Sequence, residues 1–519
     1  MHKLKIFMNI NGINILVTTT DIIICNIPGT MDYKPFSAPA ALKSAIEDAG
    51  FSCMTIDFNI RLYRCFKHDL KLLDEIQVAF IDNDTSNQRP EIKKIIEELL
   101  DEWGKEIKKY NPAFLGISVF TYQNQQSSLL LSQKIREIDP KIEIVLGGQG
   151  LASGGINGIM SFPQELKDKN IIDHYIRSEG EKSIVDILKR KSGTSGVDMN
   201  TFDQITDLDS ISFPNYDDYE LDEYKNKSLP VTGSRGCIRR CTFCDIHDHW
   251  KYTYRDGEKI AEEIITSSQK YNVFDFKFTD SLVNGNIKQF NKFTSILSEH
   301  NTNTSTKKIS WSGQFIFRSP SRQVNDVYWE YISKSGGKEL ALGLESGSEK
   351  VRNDMKKGFS DNDVYYTLEK LEQFNISCSL LLLIGYPTEE LEDHEKTLNL
   401  LKKYQHLSES VITQVSIGST LGILPNTPIA RQAEQSNIVL DPQNENNWIC
   451  LNNPDLNLRE RLRRRQELID TCHELGFQTS DVVHDEDNYL IKHLYKNLNK
   501  FEKKNVVQRK YFEQLKLQS

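Results

Sequence analysis

No stretch of this 519-residue chain approaches the roughly twenty consecutive apolar residues that a membrane-spanning helix needs. The most apolar neighbourhood, residues 6–27, is broken by Asn9, Asn11, Gly12, Asn14, Asp21 and Asn26. It has no small-residue cleavage site behind a continuous apolar core, which argues against a secretory signal. Basic charge is scarce as well. A net charge of −9 is the wrong sign for a general nucleic-acid binder, whose domains carry an excess of Lys and Arg. Cysteine is sparse, nine in all, and three of them crowd between 237 and 244, so no disulfide framework can be read. That usage suits a reducing compartment, and the cytoplasm is the expected location. Repeats at solenoid spacings are absent too.

What is present is enough apolar residue, 38% beside 26% charged, to build globular cores, and a length that implies roughly three domains. Between residues 21 and 191 short apolar runs alternate with helical stretches. Ile22-Ile23-Ile24-Cys25 enters a turn at Pro28-Gly29, a helix over 38–49 stops at Gly50, and 51–57 and 114–119 follow as strands. A helix over 125–138, a strand over 142–146 ending in Gly147-Gly148, a strand over 171–176 and a helix from Gly180 complete the series. Apolar runs of this kind, without alternation, predict a parallel sheet covered on both faces. The charged segment 61–110 reads as a helical insertion. Residues 192–228 read as a linker from their Ser, Gly, Asp and Asn content. A second alternation runs from 229 to 430, with strands at 231–234, 274–278, 309–315, 339–344, 377–384 and 414–419. Helices are expected between them at 257–270, 286–300, 323–335, 361–374 and 391–404. Six strand–helix units predict a partial (β/α)6 barrel with its chemistry at the C-terminal strand ends. Residues 431–519 read as a helical extension, with a basic helix carrying Arg459, Arg461, Arg463, Arg464 and Arg465 and a lysine-rich helical tail over 489–519.

Directly after the first of these later strands comes Gly236-Cys237-Ile238-Arg239-Arg240-Cys241-Thr242-Phe243-Cys244. Cys-x3-Cys-x2-Cys offers three thiolates, whereas four commonly hold a four-iron cluster. One iron is then open to chelation by a small molecule. Three Cys with His247 or His249 would instead make a zinc site, although such sites usually draw ligands in paired groups. The cysteine spacing, with an aromatic before the last cysteine, resembles the radical S-adenosylmethionine (radical SAM) superfamily. The resemblance implies a 4Fe-4S cluster on Cys237, Cys241 and Cys244, and reductive cleavage of SAM to a 5′-deoxyadenosyl radical. It also implies a reductant such as a flavodoxin or ferredoxin.

Further stretches match the same family in order. Phe278-Thr279-Asp280-Ser281 stands where relatives often carry Asp-Asp, so only Asp280 keeps the acidic role. Gly343-Leu344-Glu345-Ser346-Gly347-Ser348, followed by Met355-Lys356-Lys357-Gly358, resembles the Gly-Ile-Glu-Ser-Gly-Ser signature. The resemblance makes Glu345 and Ser346 SAM contacts, with a structural ion pair as the other reading of Glu345. Leu383-Ile384-Gly385-Tyr386-Pro387-Thr388-Glu389 resembles the turn that flanks adenine. There Ile384 and Phe243 would pack on the ring, or be ordinary core. Leu424-Pro425-Asn426-Thr427-Pro428 resembles a Pro-Gly-Thr-Pro turn with Asn426 in place of glycine. Arg235, Arg239, Arg240 and Arg318 are either a cationic lining or solvated loop charges.

A doubly wound sheet ahead of such a barrel resembles the cobalamin-binding branch of the superfamily. Pro35-Phe36-Ser37-Ala38-Pro39, Asp48-Ala49-Gly50, Ile56-Asp57, Gly116-Ile117-Ser118, Gly147-Gly148-Gln149-Gly150 and Arg177-Ser178-Glu179-Gly180-Glu181 carry that likeness. It implies cobalamin at the C-terminal strand ends, near Ser118, Thr121, Gly147, Gly148, Gln149, Gly150 and Glu179. The glycines are expected to clear space for a corrin, although a Gly-Gly pair is also a plain tight turn. No Asp-x-His-x-x-Gly occurs, so no histidine from that motif would reach cobalt. Some relatives keep this domain without the cofactor.

The expected domains are therefore a cobalamin-binding-like Rossmann domain over 1–191, a linker over 192–228, the barrel over 229–430 and the extension over 431–519. The expected activity is cobalamin-dependent methyl transfer to an unactivated carbon or phosphorus centre of a small-molecule or peptide substrate. Radical cyclisation or rearrangement is the alternative on the same scaffold. A methylthiotransferase would need a second cluster, for which Cys25, Cys53 and Cys65 are too closely spaced. The non-enzymatic alternative is an iron–sulfur sensor, or an interaction module using the basic helix.

Overall fold

The computed structural model describes residues 5–10, 13–18, 20–29, 33–82, 88–152, 160–177, 179–191, 204–305, 307–441 and 444–480. These divide into two compact units, one of residues 1–231 with 266–275, the other of 232–265 with 276–519. The expected lysine-rich helix over 489–519 lies outside the described residues.

The first unit opens with an antiparallel hairpin of β1 (Lys5–Ile10) and β2 (Ile13–Thr18). Its main sheet contains β3 (Ile22–Asn26), β4 (Cys53–Asp57), β5 (Phe114–Ser118), β6 (Glu143–Gly147) and β7 (His174–Ile176), in the order β4-β3-β5-β6-β7 and parallel throughout. Every residue of β3 is buried, as expected of a strand covered on both faces. The order reverses between β3 and β5, and a ligand of a doubly wound sheet binds outside the strand ends at such a switch point. The charged insertion forms helices Phe58–Phe66, Leu70–Ile81 and Pro90–Lys109. Pro90 at the first turn and Lys108 and Lys109 in the last fit the requirements of helix ends. Trp103 stacks on Phe58 and Phe80 at 4.7 and 5.7 Å, which ties the three insertion helices together, and all three rings share a buried cluster with Ile23 and Leu115 of the sheet.

From residue 204 the expected linker is fastened to this unit. Asp218 accepts from Lys43 at 2.7 Å, Tyr219 donates to the Phe36 carbonyl at 3.0 Å, and Tyr224 donates to Asp57 at 2.8 Å. Composition could not show this, because the partners are single polar residues spaced along a polar stretch. The strand β8 (Leu229–Val231) ends the segment.

In the second unit β9 (Ser234–Arg235) and β10 (Thr253–Tyr254) form a short antiparallel pair. The larger sheet contains β11 (Asp275–Phe278), β12 (Ser310–Phe315), β13 (Gly337–Glu345), β14 (Cys378–Ile384) and β15 (Ile412–Thr420). The C-terminal region adds a hairpin, β16 (Ile438–Val439) with β17 (Ile449–Cys450), and β18 (Thr479–Ser480). The order runs β18-β15-β14-β13-β12-β11, and the registers from β12 to β18 are parallel. Helices Ile287–Asn303, Asp326–Lys334, Asp361–Gln373 and Leu391–Lys403 alternate with these strands. The extension is therefore not purely helical: β18 lengthens the sheet, and helix Leu458–Glu474 contributes three buried arginines to it. Among the described residues, no helix is long and apolar enough to cross a membrane.

Candidate functional site

The cysteine loop leaves β9 through Gly236, whose φ of +77° favours glycine. A Cβ there would stand 2.9 Å from the Lys251 carbonyl oxygen, so the turn is also closed sterically. The loop is then pinned to the turn after β13 at two points. Thr242 N–H donates to the Met355 carbonyl at 3.0 Å, and the Arg239 guanidinium donates to the Gly358 carbonyl at 2.9 Å. The Thr242 hydroxyl meets the Tyr386 hydroxyl at 2.8 Å, and its carbonyl accepts from Ile429 N–H at 2.8 Å. Motif stretches far apart in sequence thus converge on one loop.

The three thiols form one electrostatic group. Burial pushes Cys237, Cys241 and Cys244 up, Cys244 to about 11, and neighbouring thiols add to the rise of Cys241 and Cys244. Backbone N–H of Arg239 approaches the Cys237 sulfur at 3.4 Å, and Lys357 acts on Cys237 and Cys241 in the opposite sense to burial. Three soft donors, a backbone donor and a buried cation fit an anionic iron–sulfur cluster. Among the described residues, no three His, Cys, Asp or Glu side chains are grouped closely enough to hold a single metal ion. The side chain of His249 lies outside the described set.

Glu345 ends β13 at φ +63°, in the left-handed region, where the β13–β14 register slips between Gly343 and Glu345. A bulge of this kind re-aims a side chain. Its carboxylate meets Lys357 at 2.8 Å, and both are largely buried. A Cβ on Gly343 would lie 2.9 Å from that carboxylate and 3.0 Å from the Lys357 ammonium, so the glycine leaves room for the pair. Ser346 is buried, and its hydroxyl accepts from Ser348 N–H at 3.1 Å. Phe243 packs against the cluster of Val351, Met355 and Tyr386, while Ile384 is 2% exposed within the strand core.

Asp280 lies under the start of the loop. Its carboxylate accepts from Gly233 N–H at 2.8 Å and from the Ser234 hydroxyl at 2.6 Å, and burial raises its pKa to about 7. Both oxygens are committed to the backbone that leads to Cys237, so it braces the loop. Of the arginines, Arg239 holds Gly358, and Arg318 donates to the carbonyls of Asn284 and Gly285 at 2.6 and 2.8 Å.

In the first unit the residues expected to hold cobalamin gather at the C-terminal ends of β5 and β6. Val119 N–H donates to the Gly147 carbonyl at 2.7 Å, and Gly150 N–H to the Val119 carbonyl at 3.0 Å. The glycines do not all leave space for a ligand. A Cβ on Gly148, at φ +119°, would stand 2.3 Å from the Val119 carbonyl oxygen, and one on Gly150 would stand 2.1 Å from that of Thr121. Those two glycines are required by the chain's own packing. A Cβ on Gly147 would meet only an ordinary van der Waals contact, with Ile176 Cβ at 3.8 Å. Thr121 caps the following turn through Asn124, and Glu179 is buried and accepts from Ile205 N–H. Gln149 is exposed and Ser118 half-buried. His174 starts β7 at the opposite edge, beside Glu143 at 3.1 Å. Cys25 and Cys53 are core thiols within β3 and β4, pushed up by burial, and Cys65 is exposed on a helix.

Residues 231–401 match the model of the radical SAM superfamily. This is a radical SAM domain. An uncharacterized methyltransferase of Pyrococcus horikoshii is 23% identical over 337 residues, covering 60% of this chain and 69% of that protein. The anaerobic magnesium-protoporphyrin IX monomethyl ester cyclase of Rubrivivax gelatinosus is 22% identical over 59% of this chain and 56% of its own length. The fold resembles that of TsrM from Kitasatospora setae, a radical S-adenosylmethionine methyltransferase solved with cobalamin and a [4Fe-4S] cluster bound. The TM-score is 0.54 with 14% identity, over 82% of this chain and 81% of that one.

Two features of the second unit escape motif reading. Lys357 is the buried member of Lys356-Lys357, and nothing in the dipeptide distinguishes them. The arginine-rich helix is turned inward: Arg461, Arg464 and Arg465 are buried, and Arg461 donates to the carbonyls of Asn446, Trp448 and Leu456. Their spacing with Leu468 and Cys472 is the periodicity of a buried helix face, the signal that could have revealed it.

Proposed function

We propose that this protein is a cobalamin-dependent radical SAM methyltransferase acting on an unactivated carbon or phosphorus centre of a small molecule or peptide. The observation that carries the reading is a loop with only three thiols, Cys237, Cys241 and Cys244, in one chain with a doubly wound sheet whose C-terminal edge holds no histidine among the described residues. When bound, the cluster and SAM supply a 5′-deoxyadenosyl radical, and cobalamin supplies the methyl group. The chain's own residues bind and orient. Cys237, Cys241 and Cys244 ligate iron as thiolates and leave one iron open. Glu345 and Ser346 receive the polar part of SAM, and Phe243 and Ile384 flank its adenine. Asp280 keeps the cysteine loop in register from below.

In this reading residues 1–191 are the cobalamin-binding domain, 229–430 the barrel and 431–519 its extension. Ser118, Thr121, Gln149 and Glu179 face the corrin amides or the nucleotide tail. Gly147 leaves the clearance, while Gly148 and Gly150 shape the loop that presents Gln149. A flavodoxin- or ferredoxin-type donor supplies the electron, in a reducing compartment such as the cytoplasm. The likeness to the cyclase supports a second reading, in which the same radical closes a ring.

The test is anaerobic reconstitution with iron, sulfide and hydroxocobalamin, followed by ultraviolet–visible spectra, metal counts and detection of 5′-deoxyadenosine after reduction. Cys241→Ala is expected to lose iron and SAM cleavage together, while Cys472→Ala keeps both. Failure to bind any corrin would remove methyl transfer and leave a cobalamin-independent radical enzyme. Bound iron without SAM cleavage would favour a sensor.

A further inference from the structure

Lys357 is held where few lysines are found. It is 8% exposed, and it lies in a turn whose neighbours Lys356 and Gly358 both adopt positive φ, +58° and +68°. The residues on either side of it in that turn are those that pin the cysteine loop, Met355 to Thr242 and Gly358 to Arg239. The turn that carries Lys357 is thereby held against the cysteine loop by bonds that do not involve the ammonium. Its one carboxylate partner is Glu345 at 2.8 Å, and the rings of Phe243 and Phe359 lie 5.9 and 6.0 Å from it. Glu345 is itself held at a strained φ, a cost that persists only where the surroundings impose it. The result is a buried cation and a buried anion side by side, at the turn to which the cysteine loop is bonded.

We propose that Lys357 sets the ease of one-electron reduction at the Cys237–Cys241–Cys244 centre, with Glu345 as its counterweight. The proposal rests on the reading of these thiols as cluster ligands. Reduction moves one electron from a low-potential donor, dithionite in the test, into the cluster, so one negative charge is added inside the ring of thiolates. Net charge and nearby donors are the levers by which a protein tunes such a centre. A fixed positive charge stabilises the reduced form and a fixed negative charge destabilises it. At an effective dielectric of about 20, a unit charge several ångströms away shifts such an equilibrium by an order of magnitude or more. The Glu345 carboxylate at 2.8 Å favours the charged form of the lysine.

The experiment is a potentiometric titration of the reconstituted full chain without SAM, followed by electron paramagnetic resonance, with iron and sulfide counted in each variant. Lys357→Met is expected to make reduction at least about tenfold harder, equivalent to a fall of about 59 mV in the one-electron midpoint. Glu345→Gln is expected to shift it the opposite way by a comparable factor. Lys357→Arg, which keeps the charge, is expected to stay near the parent. Opposed shifts from two members of one ion pair cannot come from loosened structure, which would move both variants alike. Full iron with unchanged midpoints in Lys357→Met and Glu345→Gln would overturn the proposal. If Lys357→Met fails to fold, Glu345→Gln decides alone, and no upward shift there overturns it. If Cys241→Ala retains its iron, the cluster reading falls instead, and the two failures are told apart.

Discussion

Arg464 donates to Glu389 at 2.9 Å in a place where both side chains are nearly excluded from water, 6% and 4% exposed. Helix Leu458–Glu474 thereby grips the loop after β14, which holds the Gly385-Tyr386-Pro387 stretch. Gly385, at φ +81°, lies against the same helix, since a Cβ there would stand 2.3 Å from Arg461 Cδ. Arg464 also donates to the carbonyls of Glu389 and Glu390. Removing one partner of a buried pair strands the other's charge, so Arg464→Ala is expected to cost about 3–5 kcal/mol. Replacing both, as Arg464→Met with Glu389→Leu, should recover most of that loss. Urea unfolding of the single and double variants checks it, and additive losses would deny the coupling.

Asp280 should give stability a distinct pH dependence. Burial raises its carboxyl to about 7 from an ordinary 3.8, so between those values the folded chain holds a proton that the unfolded chain releases. Stability from this group is complete below the unfolded value and is lost as pH rises through the folded one. At 1.36 kcal/mol per pKa unit the effect is of the order of 4 kcal/mol. Asp280→Asn can still accept from Gly233 N–H and donate to the Ser234 hydroxyl, which can turn to the Leu282 carbonyl at 3.3 Å. Unfolding curves from about pH 4 to 8 should therefore show the parent losing stability relative to Asp280→Asn. Parallel curves would mean that Asp280 stays ionised throughout.

Much of this fold was legible because its strands are covered. Ile22-Ile23-Ile24-Cys25 and Leu380-Leu381-Leu382-Leu383-Ile384 stand out as continuous apolar runs of strand length, and helices of the second unit have ordinary caps, such as the Ser360–Asp363 box. The elements that were missed are of two kinds. The two-residue strands β16, β17 and β18 are too short to have a period. The hairpin of β1 and β2 was read only as a broken apolar stretch, although Asn11-Gly12 between apolar runs is itself a hairpin signal. The cysteine loop was legible from spacing alone. Lys357 was not, since selecting it over Lys356 requires knowing which way the turn faces. Gly148 and Gly150 were assigned to ligand clearance when the neighbouring strand end already demands them.

Glu345 should matter for SAM without mattering for iron. Its carboxylate is paired with Lys357 and is not among the proposed iron ligands, so Glu345→Ala should leave the iron count unchanged. Loss of a charge-assisted hydrogen bond costs about 1.5–3 kcal/mol, or roughly tenfold or more in affinity. Equilibrium dialysis with SAM on the reconstituted protein measures this directly. An unchanged affinity would leave Glu345 as the partner of Lys357 alone.

The glycines after β6 separate packing from ligand binding. Gly148→Ala places a methyl group 2.3 Å from a carbonyl oxygen at a positive φ, and Gly150→Ala places one 2.1 Å from another. Neither neighbour is a flexible side chain, so the loop must move. Each should lose about 1–3 kcal/mol of stability, the range for strain that the backbone cannot relax. Gly147→Ala meets nothing closer than 3.8 Å and should be close to neutral. A larger group there, Gly147→Phe, should fold like the parent yet reduce cobalamin uptake at least about tenfold, because it adds bulk at the end of β6 without a backbone clash at its Cβ. Thermal melts report the first effect, and the corrin absorption retained after gel filtration reports the second. Iron content should be the same in all four variants, since the cysteines lie in the other unit. If Gly147→Phe folds and still takes up cobalamin as the parent does, the corrin does not rest on the end of β6, and the proposed cobalamin site must be sought elsewhere in the first unit.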